Sequence, residues 1–356
     1  MSGNAQTPVV VLALADCAAV PVERIGGKAH GLGRLLSWSV DVPPGFVVGT
    51  EAFSEWMNAH GLAEQVRDRL HGAADVAALK AATSDIAALI SAVPLESADI
   101  DDAYSRLPGG PDPAVAVRSS ATGEDGEASS YAGQQETFLW VRGAAEVRRR
   151  IVDCWASLFS FEAVRYRRDL GLEPEAGEMA VVVQAMVDAE AAGVMFTIDP
   201  LTGDPSQITI ESTVGLGTAL VSGEVTPDRY CVDKVTLELR SRTIAQKPFA
   251  DRLDHELDAT RRTPLPQEVG GASSLSDPEV VALAEIGKRL ERENGSPMDI
   301  EWALGAGGPG VSSGRRIYLL QARPETGQRA RSQASAGRRS AIDDMVRGLR
   351  RSGPTG

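Results

Sequence analysis

The sequence predicts a protein of the mixed α+β class that folds into two lobes, and three observations lead to this prediction. The chain has 356 residues, enough for two lobes with a core each. Apolar residues at helical spacing dominate the first half, whereas short, closely spaced strands dominate the second half. We therefore expect a first lobe over residues 1–187 and a second lobe over residues 188–326.

The first lobe is predicted to place several helices around a few strands. Strands are indicated by apolar runs at Val9–Leu14, Val42–Val48, Ala114–Val117 and Met179–Gln184. Helices are indicated at Ala29–Leu36, Glu51–His60, Leu62–Val93 (two helices) and Ala145–Leu170 (one long helix or a kinked pair). The aromatic side chains of Trp155 and Phe159 recur at helical spacing, which is typical of a core.

The second lobe is predicted to contain a mostly antiparallel sheet, because its strands follow one another at short spacing. The strands are expected at Ala191–Thr197, Ile208–Glu211, Tyr230–Asp233, Leu237–Leu239, Pro297–Trp302 and Ile317–Pro324. Residues 250–274 are polar without a steady period, so we expect a variable loop there. A helix should begin after Ser276, a typical N-cap residue.

The composition of the chain indicates which classes of binding partner to exclude and which cellular compartment to expect. A formal charge of −13 argues against a nucleic-acid-binding protein and implies that a polyphosphate ligand would need a divalent cation as a bridge. The three cysteines are widely spaced, which favours free thiols in a reducing compartment. The first residues do not resemble a signal peptide, and no apolar run reaches membrane-spanning length. We therefore expect a cytoplasmic protein that binds neither nucleic acid nor membrane.

Two stretches have the composition of phosphate-binding loops. Arg118 comes where a strand is expected to end, and the loop that follows, up to Phe138, is rich in Ser, Gly and Thr. Small residues let backbone N–H groups approach a polyphosphate, and a guanidinium can hold two phosphoryl oxygens. The pair Gly26-Gly27 with Lys28 at a predicted helix start offers similar chemistry. Ordinary solvated turns have the same composition, so that alternative stays open for either stretch alone.

Two later strands carry ligands suited to a magnesium ion. If they pair, strand alternation places Glu301 and Gln321 on one face, with Arg323 two residues further on. A carboxylate and an amide oxygen side by side are hard-oxygen ligands of the kind that Mg²⁺ uses. The alternative is a plain salt bridge between Glu301 and Arg323. Asp299 could join the metal or hold Arg323.

Several motifs together resemble one known family. The chain contains GGKAHGLGRL, RSSATGED, SYAGQQETF, MDIEW and YLLQARPET, in that order. This set resembles the nucleotide-binding N-terminal domain of phosphoenolpyruvate synthase, pyruvate phosphate dikinase and the rifampin phosphotransferases. The resemblance covers about Ile25–Thr326. It implies a two-lobed ATP-grasp-type fold, with the nucleotide between the lobes and with ATP and Mg²⁺ as cofactors.

The resemblance also implies roles for individual residues. Catalytic roles fall to Lys28, Arg118 and Arg323, and metal binding to Glu301 and Gln321. Nucleotide contacts are implied for Lys28, Arg118, Gly133, Thr137, Gln184, Met186, Val187, Glu301, Gln321 and Arg323. Among these, Gln184, Met186 and Val187 would bind adenine where the two lobes join.

The resemblance further implies a partner. Full-length members carry a histidine on a swivelling domain that accepts the phosphoryl group, and none of the four histidines here has the sequence setting of that carrier. We expect an ATP-dependent phosphotransferase subunit that phosphorylates a histidine of a separate carrier protein and thereby serves a small-molecule acceptor. The alternatives are a stand-alone phosphotransferase or ligase, and a non-catalytic nucleotide sensor. Residues 327–356, with seven Arg against two Asp, are expected to depart from the family as a disordered tail or docking arm.

Overall fold

The computed structural model describes residues 10–121, 136–254, 257, 259–306 and 314–325. These residues form a five-stranded sheet, a six-stranded sheet and a separate two-stranded hairpin, together with helices. Every strand pair among them is antiparallel. The predicted mixed α+β class is confirmed.

The first sheet has the strand order β1–β2–β5–β3–β4. Its strands are β1 (Val11–Ala13), β2 (Gly45–Val48), β3 (Val115–Ala121), β4 (Thr137–Val141) and β5 (Met179–Ala185). The central strand β5 is a β-branched run that is buried on both faces. Val181 and Val183 face one apolar core, whereas Ala180 and Val182 face another, as the two-residue period of a strand requires.

Helices cover both faces of the first sheet. They are α1 (Val22–Ser37), α2 (Thr50–Ala59), α3 (Leu62–Gly72), α4 (Val76–Ser91), α5 (Ala98–Ser105), α6 (Ala144–Ser157) and α7 (Phe161–Asp169), with a short 3₁₀ helix at Leu14–Ala19. The first core lies between α2–α7 and the sheet and includes Trp155 and Phe159, so the prediction that these aromatic residues are core is confirmed. Helix α5 was not expected from the sequence.

The second sheet has the order β13–β12–β6–β7–β8–β9. Its strands are β6 (Ala189–Phe196), β7 (Gln207–Val214), β8 (Asp228–Asp233), β9 (Leu239–Thr243), β12 (Met298–Ala306) and β13 (Arg315–Pro324). The helices here are α8 (Thr218–Val221), α9 (Gln267–Gly270) and α10 (Asp277–Asn294). A capping box between Ser276 and Glu279 begins α10, as the sequence predicts.

The prediction of a variable loop at residues 250–274 is wrong for the first part of that range. Strands β10 (Phe249–Asp254) and β11 (Ala259–Pro264) form an antiparallel hairpin there. All of β11 is exposed, so it shows no apolar alternation that sequence inspection could detect. Backbone pairing and the cross-strand ion pair of Arg262 with Asp251 (2.8 Å) hold the hairpin instead.

The second apolar core is shared between the two sheets. It combines helix α1, the rear face of the first sheet, one face of the second sheet and helix α10. The expectation of one separate core for each lobe is therefore wrong. The chain passes from the first sheet to the second between Ala185 and Ala189, and the lobe boundary at residue 187 stays a prediction. No helix in the described ranges is long and apolar enough to cross a bilayer.

Candidate functional site

A glycine kink brings the start of the GGK helix against strand β3. Gly26 has φ of 72°, which divides α1 into two segments, and a Cβ at Gly26 would lie 2.0 Å from the Ser120 carbonyl oxygen. The Ser120 hydroxyl donates to the Ile25 carbonyl (2.9 Å) and accepts from the Ala29 amide (3.2 Å). The sequence therefore needs glycine here. The kink places Lys28, which is only 5 % exposed, beside β3.

The same helix lies close to strand β13. A Cβ at Gly31 would come within 3.1 Å of the Ala322 carbonyl oxygen, a contact that requires a small residue. Ala322 lies between Gln321 and Arg323 in the chain. Helix α1 thus joins the strand that carries Arg118 to the strand that carries Gln321.

Arg118 lies at the centre of the site and bridges the two sheets. Its Nη2 donates to Glu301 Oε2 (3.1 Å) and to Gln321 Oε1 (3.0 Å), and its Nη1 donates to the Leu320 carbonyl (2.9 Å). The Nε atom is buried and finds no hydrogen-bond acceptor among the described residues. A buried donor of this kind is costly unless something accepts its hydrogen bond.

The position of Arg118 within its strand corrects one prediction. Strand β3 continues to Ala121, so Arg118 stands in mid-strand, opposite Val182 on one side and Thr137 on the other. The sequence suggested an earlier end because Ser119 and Ser120 are polar. Both are buried, however, and Ser120 is hydrogen-bonded to α1, so the polar residues remain inside the sheet.

Glu301 and Gln321 stand directly opposite each other on β12 and β13, as strand alternation predicts. Their side-chain oxygens both contact one nitrogen of Arg118, so the two oxygens already converge on a single cationic atom. A carboxylate and an amide oxygen converging in this way fit a divalent cation such as Mg²⁺. Arg118 would have to turn away for an ion to take that position.

Asp299 and Arg323 form the neighbouring cross-strand pair. Arg323 Nε donates to Asp299 Oδ2 at 2.9 Å, and Arg323 stays about half exposed. Burial raises the pKa of the Asp299 carboxyl above its usual range, although the charge of Arg323 acts in the opposite direction. The alternative of a Glu301–Arg323 salt bridge is not what the structure shows, since Glu301 pairs with Arg118.

The predicted adenine contacts lie at the end of β5, with different surroundings. Gln184 is buried, and its amide donates to the Pro43 carbonyl (3.1 Å). Met186 and Val187 are partly exposed. The Met186 amide donates to the Ala114 carbonyl (3.0 Å). Met186 and Val187 therefore offer more surface to a ligand than Gln184 does.

Met186 and Val187 border a small apolar cluster between the sheets, which we call the cleft cluster. Its members are Ala189, Ala192, Leu216, Leu253 and Ala303, with Trp140, Met186, Val187 and Leu320 packed against them. Strand β12 approaches closely, because a Cβ at Gly305 would lie 2.8 Å from Val187 Cγ1. Sequence inspection missed Trp140 and Leu320, and no motif distinguishes them from ordinary core residues.

Of two further residues predicted to contact the nucleotide, the structure describes one. Thr137 begins β4 and is exposed, directly opposite Arg118. Gly133 lies outside the described residues. The predicted residues Lys28, Arg118, Thr137, Glu301, Gln321 and Arg323 thus lie on α1, β3, β4, β12 and β13, neighbouring elements at the contact between the sheets.

A mixed α+β fold in which Lys28, Arg118 and paired side-chain oxygens lie at the contact between two sheets fits the class of nucleotide-binding domains. A family profile described as the pyruvate phosphate dikinase AMP/ATP-binding domain matches residues 22–343. The chain belongs to this family, and the predicted resemblance is confirmed. The match passes Thr326, so the expectation that the family likeness ends there is wrong.

Relatives with assigned names support the same assignment. A probable phosphoenolpyruvate synthase of Methanothermobacter thermautotrophicus is 41% identical over 310 residues, which is 85% of this chain and 44% of that protein. A rifampicin phosphotransferase of a Streptomyces species is 38% identical over 349 residues, which is 96% of this chain and 40% of that protein. The chain therefore spans less than half the length of these relatives.

One further relative has a different assigned activity, and one solved structure has a low structural similarity. A prodigiosin synthesizing transferase of Serratia marcescens is 37% identical and covers 90% of this chain and 34% of its own length. A solved dinucleotide-forming acetyl-coenzyme A synthetase of Ca. Korarchaeum cryptofilum covers 66% of this chain and 88% of its own, at 14% identity and a TM-score of 0.31. That structural likeness is too weak to support an argument.

Proposed function

We propose that this chain binds ATP between its two sheets in the ATP-grasp manner and, with Mg²⁺, activates it for phosphoryl transfer. Membership in an AMP/ATP-binding family supports the nucleotide. The observation that carries the site is the convergence of Glu301 Oε2 and Gln321 Oε1 on one nitrogen of Arg118. A metal ligand pair and a phosphate-binding cation occur together there.

The cationic side chains suit a polyphosphate. Lys28 and Arg118 are buried or nearly so, in a protein whose net charge is −13. Buried cations attract an anion more strongly than exposed ones, because water screens them less. The buried Nε of Arg118 would gain an acceptor from a phosphate oxygen. Mg²⁺ held by Glu301 and Gln321 would neutralise charge on the phosphate oxygens.

Arg118 is proposed to stabilise charge during the transfer step. Its strand is paired on both sides, so its backbone is held rigidly. A planar guanidinium on such a mount can follow charge that moves onto the departing oxygens without reorganisation. In this proposal Arg118 exchanges Glu301 and Gln321 for phosphate when ATP and the metal bind. Arg323, held by Asp299, supplies a second phosphate contact.

The acceptor is proposed to be a histidine on a separate carrier domain or protein, which then serves a small molecule. In that step a P–O bond of ATP breaks and the remaining nucleotide leaves with the bridging oxygen, while a P–N bond to the imidazole forms and the histidine proton is released. The names of the relatives include a phosphoenolpyruvate synthase and a rifampicin phosphotransferase. A shared domain with such different final products suggests that the acceptor is chosen outside this domain.

A cytoplasmic location accompanies this proposal. Cys17, Cys154 and Cys231 are free thiols, and burial raises the pKa of Cys17 to about 12. Free thiols are compatible with the reducing compartment in which ATP is abundant.

The direct test combines binding and transfer. Purified chain is titrated with ATP and Mg²⁺ by calorimetry, then incubated with γ- and β-labelled ATP, with and without the histidine carrier domain of a relative. We expect ATP binding in both cases and labelled phosphohistidine only with the carrier. Label on a small molecule without any carrier would favour a stand-alone phosphotransferase. Absence of ATP binding would overturn the proposal.

A further inference from the structure

Strand β4 carries a bulge at Trp140. Val117 pairs with Phe138 and Val115 pairs with Val141, so two residues of β4 stand opposite one residue of β3. Within that bulge Trp140 has φ of 58°. Residues with a Cβ avoid this left-handed region, and a bulky side chain there is uncommon. Bulges next to functional sites turn a side chain in a new direction.

Trp140 packs against the cleft cluster, as do Met186, Val187 and Leu320. The guanidinium of Arg142 lies 4.8 Å from the centroid of the same ring. Arg142 thus lies over the ring, and the other residues packed against the same cluster, Met186, Val187 and Leu320, are only partly buried. An aromatic ring at the edge of an apolar cleft is a suitable platform for a flat heterocycle.

The cleft cluster is continuous with the Arg118 site. The Leu320 carbonyl accepts a hydrogen bond from Arg118, while the Leu320 side chain packs on the cleft cluster. Thr137 stands opposite Arg118 and is three residues before Trp140, a span of about 10 Å along a strand. A ligand with its phosphates at Arg118 would therefore place its base near Trp140.

We propose that Trp140 is the residue that stacks on the adenine of ATP, with Met186 and Val187 bordering the base. This inference rests on the proposed function and adds a side chain that determines recognition of the base. Backbone conformations of this kind are costly, and they concentrate at ligand sites. The strained bulge at Trp140 is then the local cost of turning the indole into the cleft.

The test separates base from phosphate. Affinities for ATP and for inorganic tripolyphosphate, which has no base, are measured by calorimetry on the whole chain and on Trp140→Gly. We expect Trp140→Gly to weaken ATP binding roughly 5- to 150-fold, the usual range for losing one stacked base. Tripolyphosphate affinity should stay the same. The thermal midpoint without ligand should fall only modestly, because relief of the strain at positive φ offsets part of the packing that the indole contributes.

Two other variants complete the design. Trp140→Phe should keep most of the ATP affinity, since it retains an aromatic face, yet lose the fluorescence change that ATP causes in the wild type. Trp38→Phe removes a tryptophan whose ring contacts Arg34 on α1, and it should leave both affinities and the fluorescence change intact.

The outcomes distinguish this inference from the proposed function. Wild-type ATP affinity in Trp140→Gly, or equal loss of ATP and tripolyphosphate, would overturn the stacking role while ATP binding by the chain stood. If Trp140→Gly does not fold, an unchanged ATP-induced fluorescence signal in Trp140→Phe would overturn it instead. If the wild-type chain binds tripolyphosphate but not ATP, both the proposed function and this inference are wrong.

Discussion

The ion pair of Lys247 with Asp228 and the group around Arg118 differ in how completely their polar atoms are hydrogen-bonded. Lys247 and Asp228 form a fully buried ion pair with an Nζ–Oδ1 distance of 2.5 Å. Asp228 also accepts hydrogen bonds from the Ala245 amide (3.0 Å) and from the amide and hydroxyl of Ser274 (2.9 and 2.6 Å). Lys247 donates in addition to the Ala245 carbonyl. Both oxygens of Asp228 therefore have partners.

The group around Arg118 is open by comparison. The Glu301 side chain keeps 30% of its surface exposed, and Arg118 keeps 12%. One buried donor of Arg118 has no acceptor in the described part of the chain. A closed network stabilises one conformation of the fold, whereas an open network retains capacity to bind a ligand. The comparison shows that the Arg118 group keeps hydrogen-bonding capacity that the Lys247–Asp228 pair has used up, although Trp155 and Trp302 also have buried donors with no partner among the described residues.

The largest expected effect comes from breaking the closed network. Asp228→Ala leaves Lys247 buried without its counter-charge, so the free energy of unfolding should fall by about 3–5 kcal/mol. Chemical denaturation measures this loss. The double variant Asp228→Ala with Lys247→Met removes both charges and should recover part of the stability. A fully stable single variant would contradict the comparison.

A substitution in the open network around Arg118 should instead lower the transfer activity more than the stability. Glu301→Ala should abolish Mg²⁺-dependent phosphoryl transfer, while the free energy of unfolding falls by less than in Asp228→Ala, because Arg118 keeps the oxygens of Gln321 and Leu320 as partners. Transfer of label from ATP to the carrier and chemical denaturation give the two values. Wild-type turnover in Glu301→Ala would mean that the metal assignment is wrong.

Arg118→Lys sharpens the role of the central cation. Loss of a preorganised planar donor should slow transfer on the order of a hundredfold or more, while ATP affinity is largely kept. Lys28→Ala should weaken ATP affinity and transfer more evenly. Single-turnover transfer and calorimetry separate the two effects. Should both variants lose affinity and rate in equal proportion, Arg118 would only clamp the phosphate.

A packing variant tests the contact between β12 and Val187. Gly305→Ala would place a Cβ 2.8 Å from Val187 Cγ1 and 3.1 Å from the Asp188 carbonyl. We expect a loss of about 1–3 kcal/mol of stability from overpacking, together with weaker ATP binding as Val187 shifts. Gly72→Ala is the matched control, since no atom lies within 4 Å of its Cβ position. That control should be neutral or stabilising in denaturation.

The smallest effect is expected for an exposed ion pair that belongs to neither network. Arg316 Nε donates to Asp41 Oδ2 at 2.8 Å, with both side chains nearly half exposed. Arg316→Ala should therefore change the free energy of unfolding by less than about 1 kcal/mol and leave transfer unchanged. A loss comparable to that of Asp228→Ala would show that exposure is a poor guide to these effects.

Local periodicity was enough to predict several parts of the site. Two-residue alternation predicted that Glu301 and Gln321 share one face if their strands pair, and the structure pairs the two residues directly. The motif GGK indicated a glycine-dependent turn before a helix, and Gly26 adopts positive φ there. These features depend on neighbours in sequence or on a single strand pair, so short stretches contain the necessary information.

The sequence by itself thus determined the α+β class, the family and the residue types at the candidate site. Tertiary structure alone decided that Arg118 stands in mid-strand, that residues 249–264 form a hairpin, and that Trp140 packs against the cleft cluster. The physical reason is common to all three. The Ser120 hydroxyl is hydrogen-bonded to α1, backbone pairing forms the hairpin, and the register between β4 and β3 produces the bulge at Trp140. Each of these interactions either joins residues that are distant in sequence or leaves no trace in hydrophobic periodicity.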